Sequence, residues 1–149
     1  MKYFVPPLQA LLWAFIAFTA AQLTPGLAMG LSFGSALTMA LVALGLSLDV
    51  IALTFFFKRK TSINPISLAG TATLVTDGPY RYSRNPMYLG MLCYLLALMY
   101  WLGNPIAAIA PLGFVMLMNR TQIAREEAML RATFGQEYSQ YCSRVRRWV

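Results

Sequence analysis

Two short stretches concentrate the side chains of this sequence that could do chemistry. In the first, Arg84-Asn85-Pro86-Met87-Tyr88, a cation stands just before an Asn-Pro helix start. Proline at the first helical position sacrifices no hydrogen bond, and the free N–H groups of that turn favour an anion. With Arg84 beside them they form a receptor for a carboxylate or phosphate. The second stretch, Arg125-Glu126-Glu127, sets two acids side by side. Adjacent helical positions lie about 100° apart, which predicts that only one of the two faces inward. Solvation and local pairing with Arg125 or Arg131 is the simplest account of them. The sharper one is that a carboxylate here holds an ammonium or the hydroxyls of a ribose. A carboxylate receptor close to an ammonium receptor suits an amino-acid zwitterion, such as the methionine moiety of S-adenosylmethionine.

Other chemistries are excluded or weakly supported. The chain contains no His, which removes His-ligated haem, His-containing zinc sites and Ser-His or Cys-His nucleophiles. Cys93 and Cys142 have no metal-ligand spacing, and no metal site is expected. Nine methionines read as membrane packing rather than as a copper site. Asp49 is the lone acid inside an apolar run, and a structural hydrogen bond is its first expectation.

The elements that must position these residues are apolar helices. Four segments emerge: Leu8 to Leu23, Leu31 to Phe57, Met87 to Leu102, and Pro105 to Met118, the last two joined by a tight Gly103-Asn104 turn. A spanning helix needs about 20 residues, within a range near 17 to 25. The second meets this outright, whereas the others must borrow flanking residues or sit in a thinned bilayer. Segment length and the absence of period-two alternation select helices over strands. The first segment reads as an uncleaved span, because Lys2 and Pro6-Pro7 precede it and no small-x-small cleavage pattern follows.

Charge supports a membrane setting. The sequence is 58% apolar and only 11% charged, too little charge to cover a water-soluble surface. Eleven of the twelve Lys and Arg residues lie between Lys58 and Arg84 or between Arg120 and Arg147. That distribution is the pattern of cytoplasmic loops, so the net charge of +7 is no argument for nucleic acid. With four spans, both termini and the 58–86 loop share the basic side, which predicts cytoplasmic termini in an inner or plasma membrane. The 58–86 loop is long for so compact a chain, and loops of that kind are functional or disordered. Its aromatic and turn residues, including Asp77-Gly78-Pro79, favour order.

Past Met118 the fourth helix is expected to leave the membrane and run to Gly135. A second stretch follows from about Gln136 to Trp148. Tyr138, Tyr141, Val145 and Trp148 recur at steps of three and four and share a face, either lying on the bilayer or packed against the protein itself. The fold expected is an all-α polytopic integral membrane protein, with about four transmembrane helices plus a C-terminal cytoplasmic or interfacial helix. Residues 1–149 are expected to form one domain: 1–57 with two spans, the 58–86 loop, and 87–149 as a helical hairpin and C-terminal helix.

The run Leu74-Val75-Thr76-Asp77-Gly78-Pro79-Tyr80-Arg81-Tyr82-Ser83-Arg84-Asn85-Pro86-Met87-Tyr88-Leu89-Gly90 resembles the isoprenylcysteine carboxyl methyltransferases and their relatives, the phospholipid methyltransferases. So does Arg125-Glu126-Glu127…Leu130…Phe134-Gly135-Gln136-Glu137-Tyr138…Tyr141, ending in Val145-Arg146, and Asn104-Pro105 fits between. The resemblance covers roughly residues 72 to 147, and two motifs in order around a helical hairpin are more specific than either alone. It implies a membrane enzyme using S-adenosylmethionine in a cytoplasm-facing pocket. Thr73, Leu74, Val75 and Tyr80 would line that pocket. Asn85, Pro86, Met87 and Tyr88 would occupy the family's R-H-P-x-Y motif, and Glu126 would be the acidic contact, with Glu127 as neighbour. Arg84 and Tyr88 would act by positioning, and no residue is assigned a covalent role. Asn85 departs from the family's usual His.

A sulfonium methyl is already activated, so proximity and alignment are the protein's main contribution. A carboxylate acceptor is ionised at neutral pH and needs no base, whereas an ammonium must first lose a proton. The absence of His therefore tilts the expected acceptor toward a carboxylate or thiolate on a lipid-like or lipidated molecule. Arg120 is a candidate for attracting an anionic acceptor, beside the plainer role of snorkelling. The competing readings are an NADPH-dependent, sterol-reductase-like enzyme and a non-enzymatic membrane scaffold or transport subunit.

Overall fold

A computed structural model describes residues 5–28, 35–58 and 73–149, and every regular element among them is helical. Helix α1 spans Pro6–Leu23, α2 Ser35–Lys58, α3 Pro86–Leu102, α4 Ile109–Arg120 and α5 Gln122–Arg144. Short 3-10 turns at Pro25–Leu27, Gly78–Arg81 and Pro105–Ala108 punctuate them. Residues 1–4, 29–34 and 59–72, which include Lys2, Arg59, Lys60 and the Leu31 start expected for the second span, lie outside the described residues.

Helices α1 and α2 and the segment through α4 are long and apolar enough to cross a membrane. Helix α3, at 17 residues, is shorter and extends about 25 Å at 1.5 Å per residue. That is just under a hydrocarbon core of about 30 Å, as a short apolar run requires. Large apolar side chains point outward along these helices: Phe15 is 68% exposed, Met39 65% and Trp101 66%. A water-facing surface of that kind would drive aggregation, whereas lipid accepts it. The chain is an all-α integral membrane protein.

Proline and glycine set the helix ends. Pro6 and Pro86 open α1 and α3. Gly103 closes α3 in the left-handed region, with φ 57°, where glycine carries no Cβ penalty. Asn104 then fastens the hairpin. Its Oδ1 accepts from the Ile106 N–H at 3.0 Å, and its Nδ2 donates to the Thr24 carbonyl at 2.9 Å. The α3–α4 turn is thereby tied to the end of α1.

Small residues decide how closely the spans approach. A Cβ on Gly45 would stand 2.9 Å from the Gly90 carbonyl, and one on Gly90 would stand 2.5 Å from Asp49 Oδ1. Helices α2 and α3 thus pack backbone to backbone, the usual basis of association in lipid. Asp49 accepts a hydrogen bond from the Tyr94 hydroxyl at 2.9 Å across the same seam, which gives this acid a structural partner. Helices α1, α3 and α4 enclose the main core around Leu95, Phe114 and Met118, and Ile123 of α5 extends it.

The C-terminal region differs from the helix expected over Gln136 to Trp148. Helix α5 bends at Gly135, which has φ 51° and ψ −115°, and ends at Arg144. Residues 145–149 form a non-helical strap that folds back onto the loop before α3. The Arg84 N–H donates to the Arg146 carbonyl at 3.0 Å, and the Asn85 amide to the Arg147 carbonyl at 2.9 Å. Trp148 therefore leaves the helical face shared by Tyr138, Tyr141 and Val145. Its indole N–H donates to Asn119 Oδ1 at 3.1 Å. Tyr138, Tyr141 and Val145 are buried against Leu74, Leu130 and Phe134. Their aromatic face packs on the protein itself.

Candidate active site

At one end of the bundle, where α1 and α3 begin and α5 crosses, a partly open cavity of about 430 Å³ is enclosed. That volume lies within the range of small-molecule sites. Its walls come from segments far apart in sequence: the start of α1, residues 73–75, the Tyr80 turn, Arg84 to Tyr88, and one face of α5.

The polar end is built on Glu126. The Tyr88 hydroxyl donates to Glu126 Oε1 at 2.6 Å, and the Gln122 amide donates to the same oxygen at 2.8 Å. Gln122 and Glu126 are one turn apart on α5, so helix geometry alone aligns them. Burial pushes the Glu126 carboxyl above its ordinary range, against the opposing effect of these two hydrogen bonds. Both acids line the cavity, which corrects the expectation that only one would face inward.

Glu127 is 6% exposed and is the hub of an ion cluster. Arg147 donates to it from both Nε, 3.0 Å to Oε1, and Nη2, 2.7 Å to Oε2. Arg84 Nη2 reaches Oε1 at 3.0 Å. The local partner considered from sequence, Arg131, is exposed and 4.0 Å away, so distant residues dominate. Burial raises the Glu127 carboxyl. The Arg147 hydrogen bonds and the charges of Arg84, Arg147 and Arg131 outweigh it, and the pKa falls below the ordinary value.

Opposite the charges is an apolar and aromatic wall including Leu74, Val75, Leu130, Phe134 and Tyr138. The Tyr141 hydroxyl donates to the Tyr80 carbonyl at 2.7 Å, pinning the 3-10 turn to α5. Burial raises the Tyr80 hydroxyl, so the phenol stays protonated at neutral pH. At the start of α3 the first helical bond runs from the Leu89 N–H to the Asn85 carbonyl at 3.0 Å. The Met87 and Tyr88 N–H groups therefore precede the helical ladder. The Asn85 amide does not cap the helix but holds the strap.

Thr73, Leu74, Val75, Tyr80, Arg84, Asn85, Pro86, Met87, Tyr88, Glu126 and Glu127 all line this one cavity. Arg120 does not. It is exposed at the end of α4, away from the lining. Sequence reasoning missed Val5 before α1, Pro6 and Pro7 of α1, Met91 of α3, Gln122 and Met129 of α5, and the strap's Arg147 behind the wall. A Gln four residues before Glu126 was the available signal for Gln122; nothing local marks α1 or Arg147. Among the described residues no cluster of His, Cys, Asp or Glu could hold a metal ion.

The sequence matches the phospholipid methyltransferase family over residues 27–137. The chain belongs to the phospholipid methyltransferase family. An uncharacterized protein of Haemophilus influenzae is 48% identical over 63 residues, 42% of this chain and all of that one. Protein-S-isoprenylcysteine O-methyltransferase B of Arabidopsis thaliana is 39% identical over 72 residues, 48% of this chain and 36% of the plant protein. The human protein-S-isoprenylcysteine O-methyltransferase is 36% identical over 75 residues, 50% of this chain and 26% of the human one. This phospholipid methyltransferase family member thus spans a quarter to about a third of the length of those two methyltransferases.

Proposed function

We propose that this protein transfers the methyl group of S-adenosylmethionine to a lipid-like or prenylated acceptor at the cytoplasmic face of its membrane. The observation that carries the reading is the gathering of Tyr88–Glu126 and Arg84–Glu127 around one cavity backed by an apolar, aromatic wall.

The donor set fits the proposed cofactor. Glu126 offers a carboxylate to an ammonium or to ribose hydroxyls, while Tyr88 and Gln122 hold it in place. Arg84, with the N–H groups of Met87 and Tyr88, offers a receptor for a carboxylate. Tyr80, Phe134 and Tyr138 supply flat apolar surface for a purine. When bound, the cofactor supplies a methyl group on a positively charged sulfur, ready for displacement. The protein then contributes alignment and the exclusion of water, and needs no covalent group of its own.

A carboxylate acceptor requires no proton removal. The cavity offers no His, and Tyr80 stays protonated at neutral pH. Both features favour a carboxylate or thiolate over an ammonium. Val5, Pro6 and Pro7, at the start of the apolar helix α1, line the cavity, which supports lateral entry of an acceptor with a hydrocarbon tail. Clustered Lys and Arg outside the apolar segments support cytoplasmic termini and a cytoplasm-facing cavity.

Calorimetric titration of the detergent-purified protein with S-adenosylhomocysteine tests the cofactor assignment, with Glu126→Ala alongside and NADPH as control. Saturable binding lost in the variant supports it; binding of NADPH instead, or of neither by folded protein, overturns it. Radiolabelled methyl transfer to an S-prenylated cysteine bearing a free carboxylate, compared with phosphatidylethanolamine vesicles, then tests the acceptor.

A further inference from the structure

The mechanism proposed above uses Arg84 as a carboxylate receptor, yet Arg84 is bonded to Glu127 at 3.0 Å. A buried arginine neutralised by a single carboxylate would have little affinity left for another anion. The strap resolves this conflict. Arg147 engages Glu127 through a two-pronged fork, at 3.0 and 2.7 Å, and so satisfies both carboxylate oxygens. Arg84 makes one contact to Oε1, and its own Nε is buried with no hydrogen-bond partner among the described residues. Arg84 and Arg147, with the exposed Arg131 farther off at 4.0 Å, outnumber the one carboxylate, and of the three Arg84 is the guanidinium that lines the cavity.

We propose that Arg147 is a positioning residue: by occupying Glu127 from behind the wall, it keeps the Arg84 charge available for the carboxylate of the cofactor. The inference rests on the cofactor reading given above. The strap is built to hold this arrangement. The Arg147 carbonyl accepts from the Asn85 amide at 2.9 Å, and the Arg146 carbonyl from the Arg84 N–H at 3.0 Å. On the other side, Asn119 Oδ1 accepts from the Trp148 indole at 3.1 Å and lies 3.4 Å from Arg147 Nη1. Arg84 and Arg147 are thus registered by backbone contacts as well as by their charge contacts to Glu127. In the absence of Arg147, Glu127 would turn mainly on Arg84 at 3.0 Å, with only the exposed Arg131 at 4.0 Å besides, and compete with the ligand.

The test separates ligands with and without a carboxylate. S-adenosylhomocysteine and 5′-methylthioadenosine, which lacks the amino-acid portion, are titrated into the wild type, Arg147→Met, and the double variant Arg147→Met/Glu127→Gln. In Arg147→Met the affinity for S-adenosylhomocysteine should fall roughly tenfold or more, the scale of a lost charge-assisted hydrogen bond. Methylthioadenosine binding should stay near the wild-type value. Removing the Glu127 charge in the double variant should restore S-adenosylhomocysteine binding, because Arg84 is freed again. Undiminished binding in Arg147→Met overturns the proposal, as does loss of both ligands without recovery in the double variant, the result of a merely structural strap. A wild type that binds no S-adenosylhomocysteine overturns the cofactor reading itself, a distinct outcome.

Discussion

The hydroxyl of Tyr88, in the first turn of α3, donates to Glu126 Oε1 on α5 across 2.6 Å, although 38 residues separate them. This bond joins the two sequence motifs and fixes the carboxylate at the edge of the cavity. Gln122 supplies a second donor to the same oxygen.

Glu126→Gln keeps the shape of this contact and removes its charge. S-adenosylhomocysteine affinity should fall about tenfold, or about 1.4 kcal/mol. Tyr88→Phe retains the charge and loses only orientation, so its loss should be smaller. Calorimetric dissociation constants for the two variants give the order directly, and a larger loss in Tyr88→Phe would count against the charge-based role of Glu126.

The pH dependence of binding should report Glu126. Its carboxyl is raised by burial, with the Tyr88 and Gln122 hydrogen bonds opposing that rise. A ligand ammonium requires the ionised form, so affinity should drop as pH falls through this raised pKa. Tyr88→Phe removes a hydrogen bond that favours the ionised form and should move the acid limb to higher pH. Affinity measured from pH 5 to 8 in both proteins shows the direction of the shift.

Glu127 should make the fold acid-sensitive. Its pKa is lower in the folded protein than when unfolded, so its stabilisation is complete above the ordinary glutamate pKa. It is lost as pH falls through the depressed value. Glu127→Gln should flatten this acid dependence. At neutral pH it should destabilise by on the order of 3 kcal/mol, as expected when one partner leaves a buried ion cluster. Thermal unfolding in detergent at several pH values checks both expectations.

Gly90→Ala should weaken the α2–α3 pair. The added methyl would stand 2.5 Å from Asp49 Oδ1 and 3.0 Å from the Gly45 carbonyl, one of them backbone that cannot swing aside. Overpacking of this kind costs about 1–3 kcal/mol. A lowered unfolding temperature, with S-adenosylhomocysteine binding retained in the folded fraction, is the expected pattern.

Much of this protein is legible one residue at a time. The apolar runs predicted the four helices of the bundle because lipid demands both length and an unbroken backbone ladder. Pro86 and Gly103 marked the ends of α3, since one fits the first turn and the other the left-handed cap. The family resemblance implied eleven pocket residues, from Thr73 to Glu127, and all of them line one cavity. Glu127 and the strap were a different matter. From sequence, Glu127 had Arg125 and Arg131 as nearby partners, and helix periodicity carried the aromatic face on to Trp148. The chain instead breaks at Arg144 and returns, because the carbonyls of Arg146 and Arg147 find donors at Arg84 and Asn85.

The sequence by itself therefore determined the membrane setting and the helical elements. Those follow from hydropathy, capping and residue type, all of them short-range. Only the tertiary structure decided that α1 contributes to the cavity wall, that Arg120 stands outside it, and that Arg147 rather than Arg131 holds Glu127. These outcomes depend on how separate helices pack and on charges brought together from residues 84, 127 and 147. No local pattern encodes a contact whose partners meet only after the chain has folded.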